Sequence, residues 1–232
     1  MTEANTDHLT RQLEIIPLKA LGVPINIIGA GAIGSFVVLA LTKMGFDNIT
    51  VYDFDEVSVE NMNCQWYRFK DIGQPKVIAL RALIQDFTNV VIDARPVRFT
   101  EENADELRGI VISAVDSMEV RQTIWKAVKR NPKVRWLIDP RMAAEYALSF
   151  VMEPNDSKDC ISYENTFYTD EDAMQERCTA KATMYTATMI AGYVAKHVKD
   201  IVTESQYARV THWNIGTNVL QNWPKLKVEL VK

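Results

Sequence analysis

Ile25-Asn-Ile-Ile28, then Gly29-Ala-Gly31-Ala-Ile-Gly34, then an apolar stretch over residues 35–44 that stops at Gly45, is the part of the sequence that decides the fold. A short apolar run ending in glycine, followed by helical periodicity and a glycine stop, spells strand, tight turn and helix. A turn of this form puts backbone N–H groups and a helix N-terminus where a phosphate can bind. Glycine suits it because the turn needs dihedrals that other residues resist, and because a side chain would block close approach. Ile49-Thr-Val-Tyr52 reads as a second strand. It ends at Asp53, where a carboxylate can accept hydrogen bonds from ribose hydroxyls. A glycine turn alone also fits a tight connection that binds nothing; two strands and an acid in register favour a nucleotide.

Working outward, residues 74–87 read as a helix with Pro75 in its first turn. Residues 90–97 form a third strand, 110–115 a buried fourth, 120–130 a helix and 134–138 a fifth strand. Alternating strands and helices predict an α/β, Rossmann-like, mostly parallel sheet with helices on both faces. The second half changes character. Residues 146–151 look like a strand, and residues 153–177 are polar without clear periodicity, the mark of a lid or binding loop. Residues 180–202 read as a long helix, and 210–215 and 225–230 as two antiparallel strands extending the sheet. The expected organisation is one domain over 1–232, with a nucleotide-binding half (1–142) and a substrate-side half (143–232).

Composition narrows the class. Hydrophobic residues make up 47% and charged residues 24%, with a net charge of −4, so the basic footprint of a nucleic-acid or anionic-membrane binder is missing. No apolar run approaches the length of a membrane span, and MTEANTDHLTRQ lacks the apolar core of a secretion signal. The three cysteines, Cys64, Cys160 and Cys178, include no CxxC pair, which excludes a four-thiolate zinc site and a disulfide framework. A cytoplasmic protein is the expectation.

The residues after Asp53 carry more information than the glycine turn. Asp53-x-Asp55-x-Val57, Asn61-x-x-x-Gln65 and Gly73-x-x-Lys76 resemble the ThiF/MoeB/HesA family, the ubiquitin-activating-type adenylyltransferases, and the likeness runs from about residue 26 to 142. The resemblance implies transfer of AMP from ATP, with Mg2+, to the C-terminal carboxylate of a small ubiquitin-like or sulfur-carrier protein or a peptide. It implies that Gly29, Gly31, Gly34, Asp53, Asp55, Asn61 and Gln65 shape the ATP site, that Lys76 contacts phosphate and that Asp116 binds Mg2+. Asp116-Ser-Met-Glu119 also has the form of a helix capping box. Arg11, with Gln12, resembles the family's Arg-Gln pair, whose arginine reaches into a partner's ATP site; the implied state is a homodimer.

One departure stands out. Cys64 occupies the place of an arginine that contacts ATP phosphates in the family, and a thiol cannot supply a fork of donors. Arg68, four residues on, would share a helical face with position 64 and substitute in part. Cys178, beside Arg177 and before the long helix, matches the thioester cysteine of some relatives; a buried structural thiol is the plainer reading. Cys160 sits among carboxylates that discourage thiolate. Arg141 either grips a carboxylate or phosphate, or pairs with Asp139 or Glu145. Three alternatives stay open: a tRNA-modifying relative using the same adenylation, a non-catalytic nucleotide-binding partner protein, and a dinucleotide-dependent oxidoreductase.

Overall fold

A computed structural model of the chain describes residues 7–129, 131–168 and 182–224. Cys178 and the strand expected over 225–230 lie outside the described residues. All eight described strands join one sheet in the order β3-β2-β1-β4-β5-β6-β7-β8. Strands β1 (Ile25–Ile28), β2 (Ile49–Tyr52), β3 (Asp93–Arg95), β4 (Gly109–Ser113) and β5 (Val134–Ala143) run parallel. Strands β6 (Tyr146–Met152), β7 (Val210–Asn214) and β8 (Val219–Trp223) extend it antiparallel. The helices are α1 (Ala32–Lys43), α2 (Lys76–Thr88), α3 (Met118–Lys129), α4 (Ser157–Glu164) and α5 (Met184–Val202).

Both faces of the sheet are covered, which explains why its central strands are near-continuous apolar runs. Alternate residues of one strand supply opposite cores. Ile25 and Ile27 of β1, with Ile110 and Ile112 of β4, pack under α1, α2 and α5. Ile28, Val111 and Leu137 face the other way, with Ile124 and Val128 of α3 and Tyr163 of α4. The chain order reverses between β1 and β4, so their carboxyl ends part and leave a crevice, the usual ligand position in open α/β sheets.

Several expected boundaries shift. The third strand shrinks to β3, because only its central residues reach the β2 ladder. The fifth grows to ten residues and takes in Asp139, Pro140, Arg141 and Met142, each paired with β6. Residues 153–177, expected to be irregular, contain α4, whose N-terminus is capped by Asp156 accepting from the Lys158 and Asp159 amides. The second antiparallel strand is Val219–Trp223, exposed at four of its five positions and so without an apolar alternation to betray it. Position 216 is a glycine in the connecting turn.

His197 is an unpartnered polar residue in the α5 core. It is 1% exposed and, among the described residues, both ring nitrogens lack a hydrogen-bond partner; Tyr193 meets it edge-on at 4.8 Å. Burial, helped by Lys196 and opposed by Asp200, holds its pKa down at about 4. An unfolded chain takes up that proton near pH 6.5, so between 6.5 and 4 the unfolded state binds more protons and stability falls as pH falls. The expected loss across that window is roughly 3 kcal/mol. His197→Phe should raise the urea midpoint at neutral pH and flatten its decline towards about pH 4.5; an unchanged pH slope would show that other groups govern acid sensitivity.

Candidate active site: a nucleotide crevice with a cationic floor

A cleft of about 560 Å3 opens over the carboxyl ends of β1, β2, β4 and β5. Gly29 and Gly31, Asp53 to Asp55, Cys64 and Gln65, Lys76, Asp116, Arg121 and Arg141 all line it. The elements that deliver these residues are set by three local devices.

The first is the contact of α1 with the end of β1. Gly29 has φ +99°, and a side chain there would run into the Ala114 carbonyl. A Cβ on Gly34 would overlap the Gly29 carbonyl oxygen, so the helix lies directly on the turn. Gly34 does not line the cleft; its expected contact with nucleotide is corrected to a packing role. Gly31 differs from both: among the described residues a Cβ there meets nothing within 4 Å, so their packing does not require glycine and the space belongs to the cleft. As N-cap of α1 with no side-chain cap, Gly31 opens the helix N-terminus to an anion.

The second device is the acid after β2. Asp53 accepts from the Ala30 amide at 2.6 Å and from the Asp55 amide at 2.8 Å. Burial pushes its carboxyl up, while the Ala30 hydrogen bond and the Lys76 charge pull it back. Asp55 receives Lys76 Nζ at 2.9 Å, and the Lys76 amide donates to the Asp55 carbonyl at 2.9 Å. The lysine is thus buried, charge-paired and aimed into the cleft at the start of α2.

The third is the 58–67 loop. Asn61 does not reach the cleft. Its side chain accepts from the Ser58 amide at 3.0 Å and its carbonyl accepts from the Cys64 and Gln65 amides, so it shapes the loop rather than the ligand. The Tyr67 hydroxyl donates to the Ala30 carbonyl at 2.6 Å and the Trp66 amide to Ser35 Oγ at 3.1 Å, buttoning the loop to the first turn of α1. Gln65 Oε1 is buried without a partner among the described residues, and a buried acceptor left open in a cleft is suited to a ligand donor. Burial raises the Cys64 thiol, with Lys76 acting the other way. The 64–68 stretch is not helical, and Arg68 turns from the cleft to hold Asp71 at 2.9 Å and Asp86 at 3.3 Å. The expected substitution of Arg68 for the missing arginine is corrected on both counts.

Asp116 stands exposed at the end of β4 with no hydrogen bond or ion pair among the described residues. Ser117, not Asp116, caps α3, offering Oγ to the Val120 amide at 3.4 Å. Its carboxylate therefore keeps all its lone pairs. No cluster of three or more His, Cys, Asp or Glu suited to a metal exists among the described residues. A lone carboxylate beside a phosphate site fits Mg2+, which is commonly held by one or two carboxylates together with substrate phosphates and water.

Sequence reasoning missed two arginines. Arg98, in the loop after β3, lies 3.6 Å above the Phe54 ring and lines the cleft with Val97 and Phe99. Arg121 shares the buried Asp139 with Arg141, whose own contact is at 2.8 Å. Of the two partners expected for Arg141, Asp139 is the one it takes. Burial, and then Arg141, lower the Arg121 pKa to about 10, which leaves it charged at neutral pH. Cys160 is a buried structural thiol that donates to the Pro154 carbonyl at 3.3 Å. Arg11 is exposed in a short helical turn, Asp7–Gln12, anchored by Leu9 against Gly45 at the far end of α1. The 12 residues of α1 span about 18 Å, so Arg11 is remote from its own cleft.

Gly31→Ala should leave the melting temperature within about 2 °C yet weaken ATP binding at least about tenfold, because the added methyl enters ligand space only. Gly34→Ala should cost more than about 3 kcal/mol in chemical denaturation. Equal losses of stability in the two variants would remove the distinction drawn between them.

Known proteins bear on this geometry. A NEDD8-activating enzyme E1 catalytic subunit of Dictyostelium discoideum is 34% identical over 102 residues, covering 42% of this chain and 23% of that protein. A sulfur carrier protein adenylyltransferase of Thermus thermophilus is 32% identical over 103 residues, covering 42% of this chain and 38% of that protein. The chain thus matches well under half the length of these relatives. E. coli MccB, solved with AMPCPP and MccA, superimposes with a TM-score of 0.77 over 98% of this chain and 74% of that one, at 13% identity, a likeness of fold. The model of the ThiF family matches residues 18–230. The chain belongs to the ThiF family.

Proposed function

We propose that the protein is a MgATP-dependent adenylyltransferase that activates the C-terminal carboxylate of a small ubiquitin-like or sulfur-carrier protein, or of a peptide, as an acyl adenylate. The observation that carries this reading is the convergence of Gly31, Asp53, Lys76 and Asp116 on one crevice. A carboxylate attacking the α-phosphorus and a departing pyrophosphate need no protein base, so catalysis reduces to placement and charge stabilisation. The residues supply both. Asp53 faces the ribose; Phe54 and Arg98, with Val97 and Phe99, line the side that takes the base; Gly31 and the α1 N-terminus take phosphate. Lys76 exchanges Asp55 for phosphate oxygens, and Gln65 offers its open acceptor. Magnesium, held at Asp116, supplies charge neutralisation on the phosphates when bound. The acyl substrate enters over Arg141 and Met142, and Cys178 is a candidate for a later thioester.

The protein acts as a homodimer in a compartment with ATP, the cytoplasm. Arg11 is the support for the dimer. It cannot serve the cleft of its own chain, and it is exposed where a partner's cleft is the destination left to it. No described helix is long and apolar enough to cross a membrane.

ATP–pyrophosphate exchange tests the chemistry, with a panel of carriers ending in Gly-Gly and of short peptides. Substrate-dependent exchange, reduced at least about a hundredfold by Asp116→Ala, is expected. Tight ATP binding without exchange for any member would transfer the reading to a non-catalytic binding protein. The dimer has its own test. Arg11→Ala and Asp116→Ala should each be inactive, and mixing them after brief subunit exchange should restore activity to about a quarter of wild type through mixed dimers with one intact cleft. Mixtures as inactive as their parents would place Arg11 outside the partner's cleft, and a fully active Arg11→Ala would place it outside the reaction.

A further inference from the structure

Among the described residues no group forms a hydrogen bond or ion pair with the Asp116 carboxylate, so its position is that of the turn that bears it. That turn is clamped from below. Arg121, with a side chain 6% exposed, leaves the first turn of α3 and donates from Nη1 to the Ser113 carbonyl at 3.2 Å and from Nη2 to the Val115 carbonyl. These are the end of β4 and the residue immediately before Asp116. The same Nη1 meets Asp139 Oδ1 and the Pro140 carbonyl at 3.4 Å. Asp139, fully buried, uses its other oxygen to accept from Arg141 Nε at 2.9 Å and from the Tyr163 hydroxyl at 2.9 Å. Arg141 then donates to the Thr166 carbonyl and to Thr166 Oγ1, both at 3.0 Å. Thr166 lies two residues before Tyr168, which lines the same cleft as Asp116.

We propose that Arg121, Asp139 and Arg141 form a positioning bridge across the cleft floor, through which the Thr166–Tyr168 side sets the Asp116 turn and hence its grip on phosphate-bound Mg2+. The inference rests on the adenylation reading and adds to it a link between the acyl-substrate side and the metal side. The bridge has the properties such a link requires. Two guanidinium groups share one carboxylate, and the surplus positive charge is spread over carbonyls of β4, β5 and the residues after α4. A planar guanidinium holds five donors in fixed directions and so reaches the four acceptors of Arg121, more than the three donors of an ammonium could serve. Buried ion pairs have few alternative arrangements, so a shift at one end displaces the other rather than dissipating in solvent.

The test is equilibrium binding of mant-ATP, titrated with Mg2+ and repeated in EDTA, on wild type, Arg121→Lys, Thr166→Val and the double variant. Arg121→Lys should raise the Mg2+ concentration for half-maximal binding about tenfold and Thr166→Val about threefold, with metal-free binding within about twofold of wild type. The double variant should match Arg121→Lys rather than the product of the two, since both open one bridge. In an Asp116→Ala background neither substitution should add an effect. Equal weakening with and without metal, or multiplying effects, would overturn the bridge. If Arg121→Lys fails to fold by circular dichroism, Thr166→Val with and without Asp116→Ala carries the test alone. A wild type that binds no mant-ATP overturns the adenylation reading itself; a Mg2+-dependent wild type with an unmoved Thr166→Val overturns the bridge and leaves that reading standing.

Discussion

The close seating of α1 on the end of β1 is the constraint on which the rest depends. Gly34 against the Gly29 carbonyl, and Gly29 against the Ala114 carbonyl, bring a helix, its own strand and the neighbouring β4 into backbone contact at one point. No side chain larger than hydrogen fits there. The consequence is geometric: the helix axis must aim its N-terminus into the gap between β1 and β4, and the positive end of its dipole follows. Gly31, free of packing duties, is then the residue whose missing side chain matters to a ligand. Three glycines in one motif thus have two different jobs.

Charge in the cleft is organised in two ways. At the mouth the buried Lys76 pairs with the half-exposed Asp55, a contact that a polyanion can enter by exchange. Beneath, Asp139 is fully buried and binds two largely buried arginines, where a lone charge would be costly and a hydrogen-bonded set is tolerated. The first arrangement is built to change partners. The second is built to stay, and the residues that hold it come from α3, β5, α4 and the turn that follows α4.

Much of this was legible from residue order. The glycine turn, the acid after β2, the lysine at the start of α2 and the acid after β4 are all local patterns, and each falls in the cleft. What escaped was whatever depended on a contact distant in sequence. Arg98 belongs to no motif and counts only because Phe54 is folded beneath it. Arg121 reads as one more charge on an amphipathic helix until β5 brings Asp139 to it. Arg68 failed because position 64 and its own position lie on a loop, so helical spacing does not apply, and because Asp71 three residues on is the nearer partner. Asn61 has the right identity for a pocket residue and spends its side chain on a turn. Strand β8 was missed since an edge strand open on both faces carries no apolar alternation.

The buttoning of the 58–67 loop to α1 has a mechanical meaning. Ala30 and Ser35, which receive Tyr67 and Trp66, lie on either side of Gly31 at the start of α1. Two hydrogen bonds therefore tie the residues that follow Cys64 and Gln65 to that turn, and widening the slot on this side requires breaking both. The width of the slot is set by a contact within the chain and not by the ligand alone.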